Sequence, residues 1–174
     1  MGRAVVLLGP PGSGKSTIGD ELGRAGLRWR DWEPWILESW GTRERFLANK
    51  AEALASLHQA ILEFIDGAET PAVIESTGLS DREFLDRLCQ ERRGTFIVRL
   101  DVSESEALKR VAARTKGRHL SDAIESNRAV WSAFQHLVVP SRSLSLVIDT
   151  ERVAIAEAAA KILRALGGNE GAPG

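Results

Sequence analysis

The chain has 174 residues, 43% of them hydrophobic, which suffices for one domain with a full core and is too short for two ordinary ones. Its 23 basic and 24 acidic residues leave a net charge of −1, so the broad positive field of a protein that grips duplex nucleic acid is excluded, although a short oligonucleotide substrate is not. A single cysteine, Cys89, excludes an internal disulfide and fits a reducing compartment; no apolar run reaches the length of a secretory or membrane-spanning segment, so a cytoplasmic location is expected.

The first element is an apolar strand, Ala4 to Leu8, running into Gly-Pro-Pro-Gly-Ser-Gly-Lys-Ser-Thr at 9–17. This is the phosphate-loop pattern G-x-x-x-x-G-K-[ST], placed as its mechanism demands between a buried strand and a helix predicted over 15–25. Gly9, Gly12 and Gly14 let successive backbone N–H groups, including that of Ser13, turn inward as an anion cradle, and the helix N-terminus adds its partial positive charge. Lys15 is expected on the β- and γ-phosphates, Ser16 on Mg²⁺, and Thr17 on the α-phosphate or the helix cap.

A weaker strand over 27–31 leads to Asp31-Trp32-Glu33. Asp31 is expected to hold Mg²⁺ through water or to take the proton of a substrate hydroxyl, and a helix cap ahead of Pro34 is its structural alternative. Trp29, Trp32, Trp35 and Trp40 crowd twelve residues and suggest an aromatic wall to an acceptor pocket, with at least two of them spent on core packing. A helix is predicted over 44–65, inside an acceptor-side helical region of about 32–65.

The third strand, 72–74, ends in Glu75-Ser76-Thr77-Gly78. Glu75 is expected to act on Mg²⁺, and Thr77 and Gly78 to meet substrate, the glycine by letting it approach the backbone. Ser80 with Glu83 three residues on predicts a capped helix over 80–92, followed by a strand over 95–100. Ser103 with Glu106 opens a helix over 103–116. Arg110, Arg114 and Arg118 recur every four residues, with Gly117 breaking the helix; Arg114 and Arg118 are expected on a cationic lid over the transferring phosphate, at about 114–122. Arg110 is equally well a solvated helix-face charge.

A helix over 121–137 carries Arg128 and Trp131 on one face, expected to bind an anionic or planar substrate group. A strand over 144–148 ends at Asp149-Thr150. A last helix over 151–166 is closed by Gly167-Gly168, and the tail 169–174 is expected to be disordered. Strands alternating with helices predict one parallel sheet covered on both faces, with ligands at the carboxyl ends of its strands.

These residues resemble the small P-loop kinases of the adenylate-kinase-like superfamily, nearest the shikimate kinase and gluconate kinase group, over nearly the whole chain. The match runs through Gly9–Thr17, Asp31-x-Glu33 with Gly41, Arg114 and Arg118, Asn127-Arg128, and Val147-Ile148-Asp149-Thr150 with its alanine-rich helix. The resemblance implies a three-layer α/β/α P-loop fold over 1–168 with a five-stranded parallel sheet of order 2-3-1-4-5 and a small lid. It also implies ATP and Mg²⁺ as cofactors, Thr150 in the adenine-side loop with Arg110 among the nucleotide-binding residues, and γ-phosphoryl transfer to a hydroxyl of a metabolite, antibiotic, nucleoside or nucleotide.

Departures bear on the acceptor. Thr77-Gly78-Leu79 stands where shikimate kinases carry three glycines, Phe46-Leu47 stands for their Phe-Arg pair, and Glu33 replaces a second Asp. The expectation is a kinase with a different acceptor, larger and more aromatic than shikimate, bound by Asp31, Glu33, Trp35, Thr77, Gly78 and Arg128. Arg30-Asp31 also resembles the base segment of phage-type polynucleotide 5′-kinases, and a nucleotide-dependent ATPase or switch module is the alternative of another class.

Overall fold

A computed structural model describes residues 3–92, 94–114, 124–138 and 144–168. Five parallel strands, β1 (Ala4–Leu8), β2 (Arg28–Trp29), β3 (Ala72–Ser76), β4 (Phe96–Asp101) and β5 (Leu146–Asp149), form one sheet of order β2-β3-β1-β4-β5. Registers Val5↔Val73, Val5↔Phe96 and Val98↔Leu146 fix the neighbours. Order and direction agree with the sequence expectation.

Strand geometry explains how one apolar run serves two cores. Successive side chains of β1 point to opposite faces. Ala4, Val6 and Leu8 join Ile74, Ile65, Phe84, Leu88 and Phe134 in one cluster. Val5 and Leu7 join Ile18, Leu22, Val98, Leu100 and Ile162 in the other. Buried on both faces, the central strand reads as a continuous hydrophobic run rather than an alternating one.

Eight α-helices are seen among the described residues: α1 (Lys15–Arg24), α2 (Trp32–Trp40), α3 (Arg43–Ala48), α4 (Lys50–Asp66), α5 (Arg82–Glu91), α6 (Glu104–Ala112), α7 (Ile124–Ala133) and α8 (Ile155–Gly168). Helix α1 buries Ile18 and Leu22, and α8 buries Ala158, Ala159, Ile162 and Leu166, in the spacing of one helix face. Cys89 of α5 packs partly buried against the first core.

Several element expectations change; helix α6, expected over 103–116, ends at Ala112, and α8, expected from 151, begins at Ile155. The helix expected over 44–65 is two, because Asn49 leaves helical geometry at φ −119° and its side-chain amide donates to the Arg45 carbonyl. Helix α5 begins one residue after Asp81 rather than at a Ser80 cap. Helix α7 gives way to a π-helical turn, Phe134–Val138, inside the span expected as continuous helix. The two closing glycines, Gly167 and Gly168, lie within α8. Arg118, the first three residues of the helix expected over 121–137, most of the expected lid and the 169–174 tail lie outside the described residues. No described helix is long and apolar enough to cross a membrane.

Order 2-3-1-4-5 sets β1 between β3 and β4, so the loop leaving β1 emerges where the chain turns to opposite sides of the sheet. The Gly9 amide donates to the Ser76 carbonyl at 3.1 Å, pinning that loop to the end of β3. The π-helical turn seals this region from the far side: Phe134 is fully buried and Val138 packs on Gly78. Phe134→Ala should cost about 3–5 kcal/mol by lost transfer energy plus cavity. Urea unfolding measures it, and a cost below about 1 kcal/mol would remove Phe134 from the core.

Candidate active site

The loop after β1 is built around two left-handed glycines. Gly12 has φ +82° and a Cβ there would lie 2.3 Å from the Ala107 carbonyl oxygen of α6; Gly14 has φ +89° and caps α1 without a side-chain bond. Both facts demand glycine, since other residues are strained at positive φ. The first N–H groups of α1 have no partners within the helix and face the loop, which suits an anion. Ser13 Oγ is buried with no hydrogen-bond partner. A loop of inward amides around an orphaned hydroxyl fits phosphate oxygens.

Lys15, from the first turn of α1, donates to the Gly9 and Pro10 carbonyls at 2.9 and 3.0 Å. Desolvation holds its pKa below the ordinary lysine value, with Glu75 and Glu33 pulling the other way. Beside it, Ser16 Oγ donates to Glu75 Oε2 at 3.1 Å. Burial at the end of β3 pushes the Glu75 carboxyl up to about 7; attraction to Lys15 opposes this, and repulsion from Asp31 and Glu33 adds to it. Among the described residues no three His, Cys, Asp or Glu group as a metal site. A divalent ion here would take the Ser16 hydroxyl with Glu75 behind it, and phosphate oxygens and water for the remainder.

A cavity of about 250 Å³ opens beside these groups. Lys15, Ser16 and Glu75 close its floor, Trp32, Ile36, Phe46, Leu57 and Ile61 form an apolar wall, and Glu33, Thr77, Asp81, Lys50 and Arg114 rim it. Helices α2, α3 and α4 supply the wall because their inward positions carry the apolar residues. The cavity therefore joins a phosphate-binding end to an apolar end.

The expected site residues divide. Lys15, Ser16, Glu33, Glu75, Thr77 and Arg114 meet at this cavity. Asp31 does not line it; its carboxylate accepts from the Glu33 amide at 3.0 Å and caps α2, which turns Glu33 toward the cavity instead. Thr17 is exposed on α1. Trp35 stands behind Trp32 in an edge-to-face contact at 5.7 Å, while Trp29 packs on Gly19 and donates to Asp20 on α1. The aromatic wall is thus one indole, Trp32.

Three further expectations are corrected. Gly78 is buried at φ +71°, where a Cβ would press on Leu8 and Val138, so it serves packing rather than substrate approach. Arg128 pairs with Glu104 at 2.7 Å and is largely exposed. Its neighbour Asn127, buried on α7, faces a second cavity of about 300 Å³ shared with Pro11, Glu33 and Arg114. Arg110 donates to Glu106 at 2.9 Å, to the Thr150 carbonyl at 2.9 Å, to Thr150 Oγ1 at 3.1 Å and to the Gly12 carbonyl at 3.4 Å. Arg110 and the buried Thr150 therefore brace the loop from behind.

Sequence reasoning missed Asp81 and Lys50 on the rim. Asp81 sits at the N-cap of α5 but makes no cap bond; Ser76 Oγ donates to its Oδ2, and Ser76 Oγ accepts from the Gly78 amide at 2.6 Å. The only signal was an acid next to Ser80, which capping rules assign to the helix. Nothing local marks Lys50.

The chain matches a family model described as AAA domain over residues 5–131. Among solved structures it is similar to the shikimate kinase of Acinetobacter baumannii in complex with shikimate, at 21% identity and TM-score 0.70, covering 99% of this chain and 96% of that one. It is similar to a gluconokinase of Sinorhizobium meliloti 1021 at 21% identity and TM-score 0.61, covering 95% and 92%. It is similar also to the deoxyadenosine kinase of M. mycoides with bound dATP at 14% identity and TM-score 0.60, covering 96% and 100%. No curated protein sequence matches the chain.

Glu75 supplies a test of the site's electrostatics. Its folded pKa of about 7 exceeds the 4.5 of an ordinary glutamate, so the folded state binds the extra proton between those values. Its contribution to stability is full below pH 4.5 and is lost as pH rises through about 7. Glu75→Gln should remove that fall and raise the melting temperature of the ligand-free protein at pH 8. An unaltered melting profile from pH 5 to 8 would refute the burial of this charge. Fold, loop and sheet order agree with the family match: the chain belongs to the AAA domain family, with the five-stranded P-loop fold shared by the small-molecule kinases it resembles.

Proposed function

We propose that the chain is an ATP-dependent phosphotransferase that moves the γ-phosphoryl group to a hydroxyl of a small molecule. The observation that carries this reading is the cavity that joins Lys15, Ser16 and Glu75 to a wall of Trp32 and the apolar side of α4. An ATPase or switch needs the floor; it has no use for a walled acceptor space. The similar folds belong to kinases of small molecules, which supports the same conclusion.

In this reading the loop amides and Lys15 hold the β- and γ-phosphates, and Arg114 covers the transferring group from the rim. Mg²⁺, held by Ser16 with Glu75 behind it, would neutralise charge between the β- and γ-phosphates. The acceptor oxygen forms a bond to the γ-phosphorus, the bond from that phosphorus to the bridging oxygen breaks, and ADP leaves. The acceptor's proton passes to a carboxylate on its side of the cavity. Glu33 takes that part, because it faces the cavity while Asp31 is engaged at the helix cap. The apolar wall excludes water, which would otherwise compete as acceptor.

Incubating the protein with γ-labelled ATP and pooled alcohols, from sugars to nucleosides, should label an acceptor. Label found only in free phosphate defeats the kinase reading. Lys15→Ala should abolish transfer. Glu33→Gln should lower kcat about 10²- to 10⁴-fold with little change in the KM for ATP. Asp31→Ala should instead cost about 1 kcal/mol of stability and change kcat less than tenfold; the opposite ranking of the two variants would return the base to Asp31.

A further inference from the structure

Orphaned buried polar atoms in a cavity wall describe what the missing ligand offers, because a donor or acceptor removed from water costs free energy until it is paired. Three such atoms belong to residues of the acceptor side. Trp32 Nε1 is buried without a partner on the wall of the 250 Å³ cavity. Asp81 Oδ1 is buried without a partner, although Oδ2 of the same carboxylate is bonded to Ser76. His58 Nε2 is buried without a partner, its ring stacked on Phe84 at 4.1 Å and 7°.

Asp81 could have spent its carboxylate on its own helix, as an aspartate at an N-cap ordinarily does. It makes no such bond. Asp81, Ser80 and Leu54 line both the 250 Å³ cavity and a groove of about 770 Å³ between α4 and α5, in which His58 stands. The two spaces therefore meet at Asp81. Burial keeps His58 below its usual pKa, so at neutral pH its ring is uncharged and can accept a hydrogen bond. The groove also carries Arg82, Arg87, Glu83 and Glu91. The apolar wall of Trp32, Ile36, Phe46, Leu57 and Ile61 carries no cation, and the cations Lys50 and Arg114 also line the second cavity with Glu33.

Resting on the kinase reading above, we infer that the acceptor is an amphipathic amino alcohol. Its apolar body lies on Trp32, Ile36 and Phe46, an acceptor oxygen meets Trp32 Nε1, and its ammonium sits at the mouth of the α4–α5 groove between Asp81 Oδ1 and His58 Nε2. An ammonium offers several donors, no acceptor and a positive charge, which suits a carboxylate oxygen and a neutral imidazole together. A polyhydroxy acid can donate hydroxyl hydrogens to these atoms but brings no positive charge to Asp81. Asp81 and Trp32 are then the specificity-determining residues.

Three probes of similar size separate the possibilities: phenylalaninol, 3-phenylpropan-1-ol, which lacks the ammonium, and gluconate. Product mass and ADP release should show phenylalaninol preferred in kcat/KM at least tenfold over each of the others. Asp81→Asn, which keeps shape and removes charge, should bring the ratio of phenylalaninol to 3-phenylpropan-1-ol to about one. Trp32→Phe, which keeps the ring and removes the N–H, should raise the KM for phenylalaninol several-fold more than the KM for ATP. The wild-type ratio decides alone if a variant folds poorly. Preference for gluconate, or an Asp81→Asn ratio equal to wild type, overturns the amino-alcohol assignment while leaving the kinase intact. Failure of every pooled alcohol to take label overturns the kinase reading instead.

Discussion

Glu75, buried at the end of β3 between Ser16 and Lys15, is the constraint on which the rest of the site depends. A carboxylate so placed is raised to about 7 because desolvation outweighs the attraction of the lysine next to it. The same desolvation lowers Lys15 from its side. Both ions thus cost stability in the ligand-free protein, and the fold bears that cost with two apolar clusters on either face of the sheet. A group held this way gains most when a multiply charged ligand and a cation arrive. For the kinase proposed above, this strain is electrostatic preorganisation: the charges are already in place before a ligand arrives.

The donor and acceptor halves of the site are made of different material, and this decides what could be read from the sequence. The donor half is backbone. Positive φ at Gly12 and Gly14, a helix N-terminus and a lysine at fixed offset occupy nine consecutive residues, so the local pattern contains the whole structure. Four of the five strands are equally legible, each a short apolar run between helical stretches, whereas β2, Arg28–Trp29, is not apolar and gives the weaker signal. The acceptor half is assembled from α2, α4, the end of β3 and the N-terminus of α5, which are brought together only by tertiary packing. There, a turn of one residue changes a function. Asp31 bonds back to the Glu33 amide and so Glu33 faces the cavity; Arg128 is directed to Glu104 and so Asn127 faces inward. Composition says nothing about such choices, because adjacent helical positions differ by about 100° in direction.

Gly78 and Asp81 show the same limit through competing uses of one residue type. A glycine after a strand reads as room for a ligand, yet the space beside Gly78 is filled by Leu8 and Val138. An aspartate before a helix reads as a cap, yet the Asp81 carboxylate turns to Ser76. In each case the general propensity is right about the conformation and silent about the partner. The π-helical turn that delivers Val138 could not be anticipated either, since its apolar spacing is compatible with a plain α-helix.

Two arginines four residues apart illustrate how the fold assigns roles along a helix. Were α6 continuous through 114, Arg110 and Arg114 would share a face and both would meet the phosphates. The helix instead ends at Ala112, and the Arg114 amide closes a tight turn on the Val111 carbonyl at 3.1 Å. Arg110, still helical, is spent on Thr150, Glu106 and the Gly12 carbonyl, so it ties α6 and the end of β5 to the back of the phosphate loop. Arg114, past the helix end, rims both cavities and depresses the Lys15 pKa. One cation fixes the loop's shape and the other is left for what the loop binds. Because the carbonyl of Gly12 is held by Arg110 and its Cα lies against Ala107, any movement of α6 must move the phosphate loop with it.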